Sequence, residues 1–220
     1  MPDAPGVSIV PTPTGLPSMR VQREDRSFIT LHSLHDPWED ASRFADAVEL
    51  KPGTRLYLVL GVGLGYHLLT LAHRLRNAGS EAALWGVETH EGVLEACMRT
   101  TDMGLLYKLG DGRVLSRRGL SRLVGPEGSL FEGRIQVLRH APSVSLDPRG
   151  YAQWERAAEE LSAAAVLAER WPSAKALLAG APSTAQAAVR QALRDIKGSG
   201  PPYGPVEAVF LLLDRVHHHE

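Results

Sequence analysis

Residues 56–67 read Leu-Tyr-Leu-Val-Leu-Gly-Val-Gly-Leu-Gly-Tyr-His, and no other stretch limits the fold as strongly. Five apolar residues run into three glycines at alternate positions, Gly61, Gly63 and Gly65. A helical pattern follows at once, with Leu68, Leu71, Ala72 and Leu75 on one face. A strand, a glycine turn and a helix in that order present main-chain N–H groups at a helix N-terminus, which suits a phosphate, a carboxylate or a ribose brought against the backbone. A Cβ at the glycines would block that approach or forbid the turn. Beyond the helix a second apolar strand, Ala83-Leu84-Trp85-Gly86-Val87, ends in Glu88. The pattern predicts that strands at about 55–60, 83–88 and 134–139 lie parallel in one sheet, because each crossover returns the chain in the same direction.

This succession resembles the first half of a Rossmann-like domain, where an acid at the tip of the second strand holds ribose hydroxyls. The nicotinamide fingerprint G-x-G-x-x-G would need glycine at position 66, which is Tyr66. The spacing G-x-G-x-G is instead similar to that of methyltransferase-like members, which bind S-adenosylmethionine. The expected fold is therefore α/β, a Rossmann-like, methyltransferase-like parallel sheet flanked by helices. The resemblance implies that Gly61, Gly63 and Gly65 pass the methionine end of the cofactor and that Glu88 holds the ribose. Asp111 would face the adenine amino group, as acids after the third strand do in that fold. Those domains also place an acid two positions before the first glycine. This chain has Val59 there, so the methionine ammonium would lack an electrostatic partner. The other reading is a Rossmann-like fold whose glycine turn binds nothing.

The rest of the chain is organised around this unit. Residues 1–19 carry five prolines and no sustained periodicity, and are expected to be a mobile leader. Residues 27–32 read as a short strand. Asp36-Pro37-Trp38-Glu39 opens a helix with Asp36 as N-cap and Pro37 at the first helical position, and its apolar face runs through Trp38, Ala41, Phe44, Ala45 and Val48. A helix is expected at about 90–100. Residues 101–132 are hard to assign: a turn at 110–112 and a short helix over 120–124 are the features that stand out. A further strand at 134–138 ends at His140-Ala141-Pro142. After Pro148 the chain is alanine-rich and free of strand runs, with helices expected at about 150–170, 172–180 and 183–197. The segment 206–216 reads as either a strand or a terminal helix. The expected organisation is a leader (1–19), a Rossmann-like domain (20–148) and a helical C-terminal extension (149–220).

Composition narrows the function classes. With 220 residues and 44% hydrophobic content, the chain can bury a sizeable core. Its 24 basic and 25 acidic residues give a net charge of −1, which offers no electrostatic argument for nucleic acid or an anionic membrane. No apolar run approaches the roughly 18–20 residues of a membrane span. Cys97 stands alone, so no internal disulfide or cysteine metal cluster is expected, in keeping with a reducing cytoplasm. No secretory signal is visible at the start.

Two blocks carry a second resemblance. Residues 30–41, Thr-Leu-His-Ser-Leu-His-Asp-Pro-Trp-Glu-Asp-Ala, are similar to an L-H-S-x-x-D-P-x-x-E-A element, and they stand just upstream of the G-x-G-x-G-Y-H block at 61–67. That order resembles the N-terminal Rossmann-like domain of motility-associated-factor glycosyltransferases, which modify flagellin with sialic-acid-like sugars. Glu39 is displaced by one from the family pattern, and Asp40 precedes Ala41. The resemblance covers roughly residues 27–145. It implies an accessory domain that binds a ligand such as a nucleotide sugar or serves as a scaffold, with a glycosylation enzyme or flagellin as partner. It also implies that residues 30–36 pack beside the glycine turn. About 70 residues after position 150 are too few for the family's sugar-transfer domain, so that activity is not carried over. Whether the chain is an enzyme, and its oligomeric state, stay open at this point.

Remaining candidates each have a plainer explanation. His67, at the helix start, would meet an anion as a donor or else pack on the strand. His32, Ser33, His35 and Asp36 have the residue types of a catalytic triad, but sequence proximity is not triad geometry and Asp36 already has a capping role. Arg113, Arg117, Arg118 and Arg122 form a basic stripe for a phosphosugar or acidic partner, or a solvated face. His217, His218 and His219 are adjacent tail histidines rather than a designed metal site. No metal ligand set and no catalytic residue are assigned.

Overall fold

In the computed structural model the described residues are 6–108, 111–131 and 133–170, with side chains to 162, together with 194, 195 and 198. The chain divides into two compact units, Met1–Ala158 and Glu159–Glu220. The first holds two sheets. β1 (Val7–Val10), β2 (Ser18–Gln22) and β3 (Phe28–Thr30) form an antiparallel meander in that order. β4 (Leu56–Leu60), β5 (Ala83–Glu88), β6 (Gly112–Ser116) and β7 (Ile135–Arg139) form a parallel sheet of order β6-β5-β4-β7. The α/β Rossmann-like class and the parallel arrangement of the three expected strands are therefore observed. The fold also contains β6, which the sequence reading lacked.

Within residues 6–19, the described part of the expected leader, the meander replaces a mobile segment. Three of the five prolines that suggested mobility, Pro11, Pro13 and Pro17, fall in the connection between β1 and β2 and take no ladder position, and the other two lie outside the described residues. The strands themselves alternate: Val7, Met19 and Val21 are buried, while Arg20 and Gln22 are exposed.

Helices fill the crossovers. α1 (Pro37–Asp46) begins as expected, with the Asp36 carboxylate accepting from the N–H groups of Trp38 and Glu39. α2 (Tyr66–Asn77) follows the glycine turn and packs on α1. There the Thr70 hydroxyl donates to the Ala41 carbonyl at 3.0 Å, and Arg74 reaches the Ala45 and Val48 carbonyls at the end of α1. α3 (Glu91–Thr100) is capped by His90. Short helices α4 (Gly104–Lys108), α5 (Leu120–Val124) and α6 (Pro126–Ser129) lie between the later strands, and α7 (Ala141–Val144) follows β7.

α8 (Pro148–Arg170) buries Tyr151, Trp154, Ala157 and Ala158 at helical spacing. This burial is why the division falls after Ala158 and not after 148, where the composition changes. The helices expected at 172–180 and 183–197 and the segment 206–216 lie outside the described residues, apart from helical backbone at 194, 195 and 198.

The core has two parts. One lies on the parallel sheet, around Tyr57, Val59, Leu68, Leu71, Leu84 and Leu106. The other joins the meander to the glycine turn: Val7, Met19, Val21 and Leu31 pack with Leu64, Tyr66, Val93 and Ala96. Each such side chain contributes about 1.5–3 kcal/mol on full burial, so this second cluster is a firm attachment. It holds the meander against the turn at the carboxyl ends of β4 and β5.

Candidate functional site

In a sheet of this order, the strand succession reverses between β4 and β7. The crevice outside the carboxyl ends of those two strands is where open α/β sheets bind ligands. Gly61, Gly63 and Gly65 lie there, all with positive φ (+96°, +51° and +80°) and all buried. A Cβ on Gly61 would collide with Ser143, and one on Gly63 with the His32 ring. On Gly65 it would come within 2.7 Å of Met103 Sδ. The close approach that these glycines permit is thus made by the chain's own side chains.

The main-chain donors of the turn can be followed one by one. Gly61 N–H extends the ladder to the Val87 carbonyl at 2.8 Å. Val62 N–H and Gly63 N–H donate to Glu88 Oε2 at 3.0 and 3.3 Å. Leu64 N–H donates to His32 Nε2 at 2.7 Å, and Gly65 N–H closes on the Val62 carbonyl at 2.7 Å. All five donors are satisfied internally, and the position of an incoming anion is held by the Glu88 carboxylate.

Glu88 itself is saturated. Its other oxygen, Oε1, accepts from His90 N–H at 3.0 Å and from the Tyr151 hydroxyl at 2.7 Å. The side chain is 1% exposed, and burial pushes its pKa up against the pull of these four donors. The neighbouring Tyr151 hydroxyl is pushed up as well, by its own burial and then by the Glu88 charge.

The expected site residues divide cleanly. Gly61, Gly63, Gly65, His67 and Glu88 converge at the carboxyl end of the sheet. Asp111 does not. It immediately precedes β6, at the opposite end, and its carboxylate pairs with Arg113 at 3.1 Å. The acid was expected after the third strand of the parallel sheet, whereas that strand, β6, starts one residue later, at Gly112. The arginine stripe is largely paired: Arg113 and Arg122 meet Glu127, and Arg117 lies 4.0 Å from Asp147. Ser33 and Asp36 cap the entry to α1, with the Ser33 hydroxyl accepting from His35 N–H and Asp36 N–H. No triad geometry forms from this segment, but the segment does lie against the turn through His32.

Three buried histidines occupy the switch point. His32 precedes α1, His67 is in the first turn of α2, and His140 follows β7; they are 3%, 1% and 7% exposed. The His67 and His140 rings stack 4.3 Å apart at 12°, and His32 stacks on His140 at 5.2 Å. His67 Nε2 must carry its proton, because it donates to the Gly61 carbonyl at 2.9 Å. His67 Nδ1 is therefore a bare lone pair, buried and without a hydrogen-bond partner. His140 Nδ1 meets the Ser143 hydroxyl at 2.8 Å. Burial lowers the pKa of His32 to about 3 and of His67 to about 4, and holds His140 well below its usual value, so all three are neutral. Of the trio only His67 carried a site assignment from the sequence. The three stand on separate stretches of chain, after β3, in α2 and after β7, and no spacing in the sequence links them.

Comparison of the chain with family models, with curated proteins and with solved structures finds no match. Among the described residues no helix is long and apolar enough to cross a membrane.

Proposed function

We propose that this chain serves as an accessory Rossmann-like domain that works through a protein partner, in the flagellar or surface glycosylation setting that residues 30–41 and 61–67 resemble. One observation carries the reading. Every N–H group from Gly61 to Gly65 is already bonded within the chain, two of them to Glu88. A nucleotide or adenosylmethionine would have to displace a buried carboxylate from the Val62 and Gly63 N–H groups before it could bond to them. A glycosylation enzyme or flagellin is the partner that the resemblance names.

The second reading is an adenosylmethionine-dependent methyltransferase. The strand order β6-β5-β4-β7, with the glycine turn after β4, favours it. Val59 and the occupied Glu88 weigh against it. Calorimetric titration with adenosylmethionine and with nucleotide sugars separates the two. The accessory reading expects no binding by these ligands, and a complex with a glycosylation enzyme that survives gel filtration. Low-micromolar adenosylmethionine affinity would overturn that reading and promote the methyltransferase.

A further inference from the structure

We propose that His32, His67 and His140 form a binding site for a transition-metal dication, zinc foremost, at the switch point of the parallel sheet. This site leaves Glu88 and the two turn N–H groups bonded to it untouched, and it shares with the accessory-domain reading only the Leu64 N–H bond to His32. One ring nitrogen from each histidine lies within 4.8 Å of those of the other two, with no carboxylate among them. Imidazole is the ligand type that zinc, copper and nickel share, and three histidines with an open fourth position make up one of the recurrent zinc arrangements.

Three independent features point the same way. First, the His67 ring already has the tautomer that a metal ligand needs. Its Nε2–H is fixed on a backbone carbonyl, which leaves Nδ1 as a buried lone pair with no partner. A buried, unpartnered nitrogen needs a reason to persist, and a cation supplies one. Second, His140 Nδ1 meets only a serine hydroxyl, which can rotate away and release its lone pair. Third, Asp40 acts electrostatically on His67 and offsets part of the charge that a dication would bring.

His32 is the ligand that must give something up, since its Nε2 now accepts from Leu64 N–H. Zinc–nitrogen bonds of about 2.0–2.1 Å also require the three nitrogens to close in by roughly an ångström or more. Because the His67 and His140 rings are stacked at 12°, one of them must also turn so that the in-plane lone pairs converge. Metal binding therefore exchanges the Leu64 and Ser143 hydrogen bonds and a ring reorientation for three coordination bonds. Ligand exchange at the remaining position would give the metal access to one small donor, either water or a ligand atom.

The test uses the full chain with H217Q/H218Q/H219Q, so that the tail histidines cannot chelate. The chain is stripped with a chelator, loaded with zinc and passed through gel filtration, and bound metal is counted. The cobalt form is read by its visible d–d absorption. The site predicts one zinc per chain and a four-coordinate cobalt spectrum. In H67Q, affinity should fall by more than the 10–100-fold typical of losing an outer-shell partner. If H67Q does not fold, cobalt-induced paramagnetic shifts of the His32, His67 and His140 ring protons in the parent chain decide. Substoichiometric metal in the parent, binding that survives in folded H67Q, or paramagnetic shifts confined to His35, His73 or His90 would each overturn the proposal.

Discussion

Glu88 tests whether the glycine turn is closed by the protein itself. Glu88→Gln keeps the shape of the side chain and replaces one acceptor oxygen with an NH₂ group. Turned toward Val62 and Gly63, the NH₂ would face two backbone donors. Turned toward His90 and Tyr151, it orphans only His90 N–H, because the tyrosine hydroxyl can rotate and accept. The second orientation should win, leaving one part-buried donor without a partner at a cost of about 1–3 kcal/mol. Losing the charge at the remaining bonds adds to this, and relief from burying a carboxylate offsets part of it. The net expectation is a loss of about 1–3 kcal/mol, a sizeable fraction of a domain stability of roughly 5–15 kcal/mol.

Glu88→Ala removes the acceptor from all four donors and should cost more, on the order of 3–6 kcal/mol after water fills part of the space. Urea titration gives both values, provided the slope of the transition is unchanged. Amide exchange locates the damage: in Glu88→Gln the His90 amide should exchange faster, while Val62 and Gly63 stay protected. A Glu88→Gln chain as stable as the parent or more so would refute the reasoning, for it would mean that desolvation of the carboxylate outweighs its bonds. Equal losses in the two variants would show that Glu88 contributes only charge.

Two further outcomes follow from the same region. Gly63→Ala places a Cβ against the His32 ring at φ +51°, so it should lose about 1–3 kcal/mol for the backbone strain plus the cost of moving His32. Gly79→Ala, at φ +66° in open space, should lose only the strain, and similar thermal midpoints for the two would count against a filled turn. In chelator-treated protein, stability should be complete above pH 6.5 and fall as the pH drops toward about 4, since the unfolded chain takes up protons on His32 and His67 that the folded one refuses. The slope is about 1.4 kcal/mol per pH unit for each histidine, opposed at the acid end by the raised pKa of Glu88; a urea midpoint unchanged between pH 7.5 and 5.5 would refute it.

The parallel sheet was legible because β4 and β5 are buried on both faces and so read as unbroken apolar runs. β6 was not, since Gly-Arg-Val-Leu-Ser at a sheet edge needs only Val114 and Leu115 to pack, and its arginine looks like a surface residue. The meander was hidden by prolines that belong to its loop. In the site, Glu88 and the glycines could be placed at one end of the sheet from spacing alone. Which way the Glu88 carboxylate points could not, because orientation depends on donors from His90 and, far along the chain, Tyr151. The histidine trio was invisible for a similar reason: its members lie on three separate stretches of chain, and only the folded sheet brings β7 beside β4.

Glycines in a turn after the first strand are usually taken as evidence of a ligand, but the physical requirement is narrower. A glycine is needed wherever some group must come closer to the backbone than a Cβ allows, or where φ is positive. In this chain His32, Ser143 and Met103 are those groups, so glycine would be required at 61, 63 and 65 even if no small molecule ever bound. What separates the two uses is the state of the acid at the end of β5. An acid that holds a ribose must keep its oxygens free toward the crevice. Both oxygens of Glu88 face inward instead, two bonds each, tied to the turn it would otherwise serve. The turn and the acid have become each other's ligands. What this end of the sheet still offers is the buried, unpartnered Nδ1 of His67, in a ring stacked on that of His140.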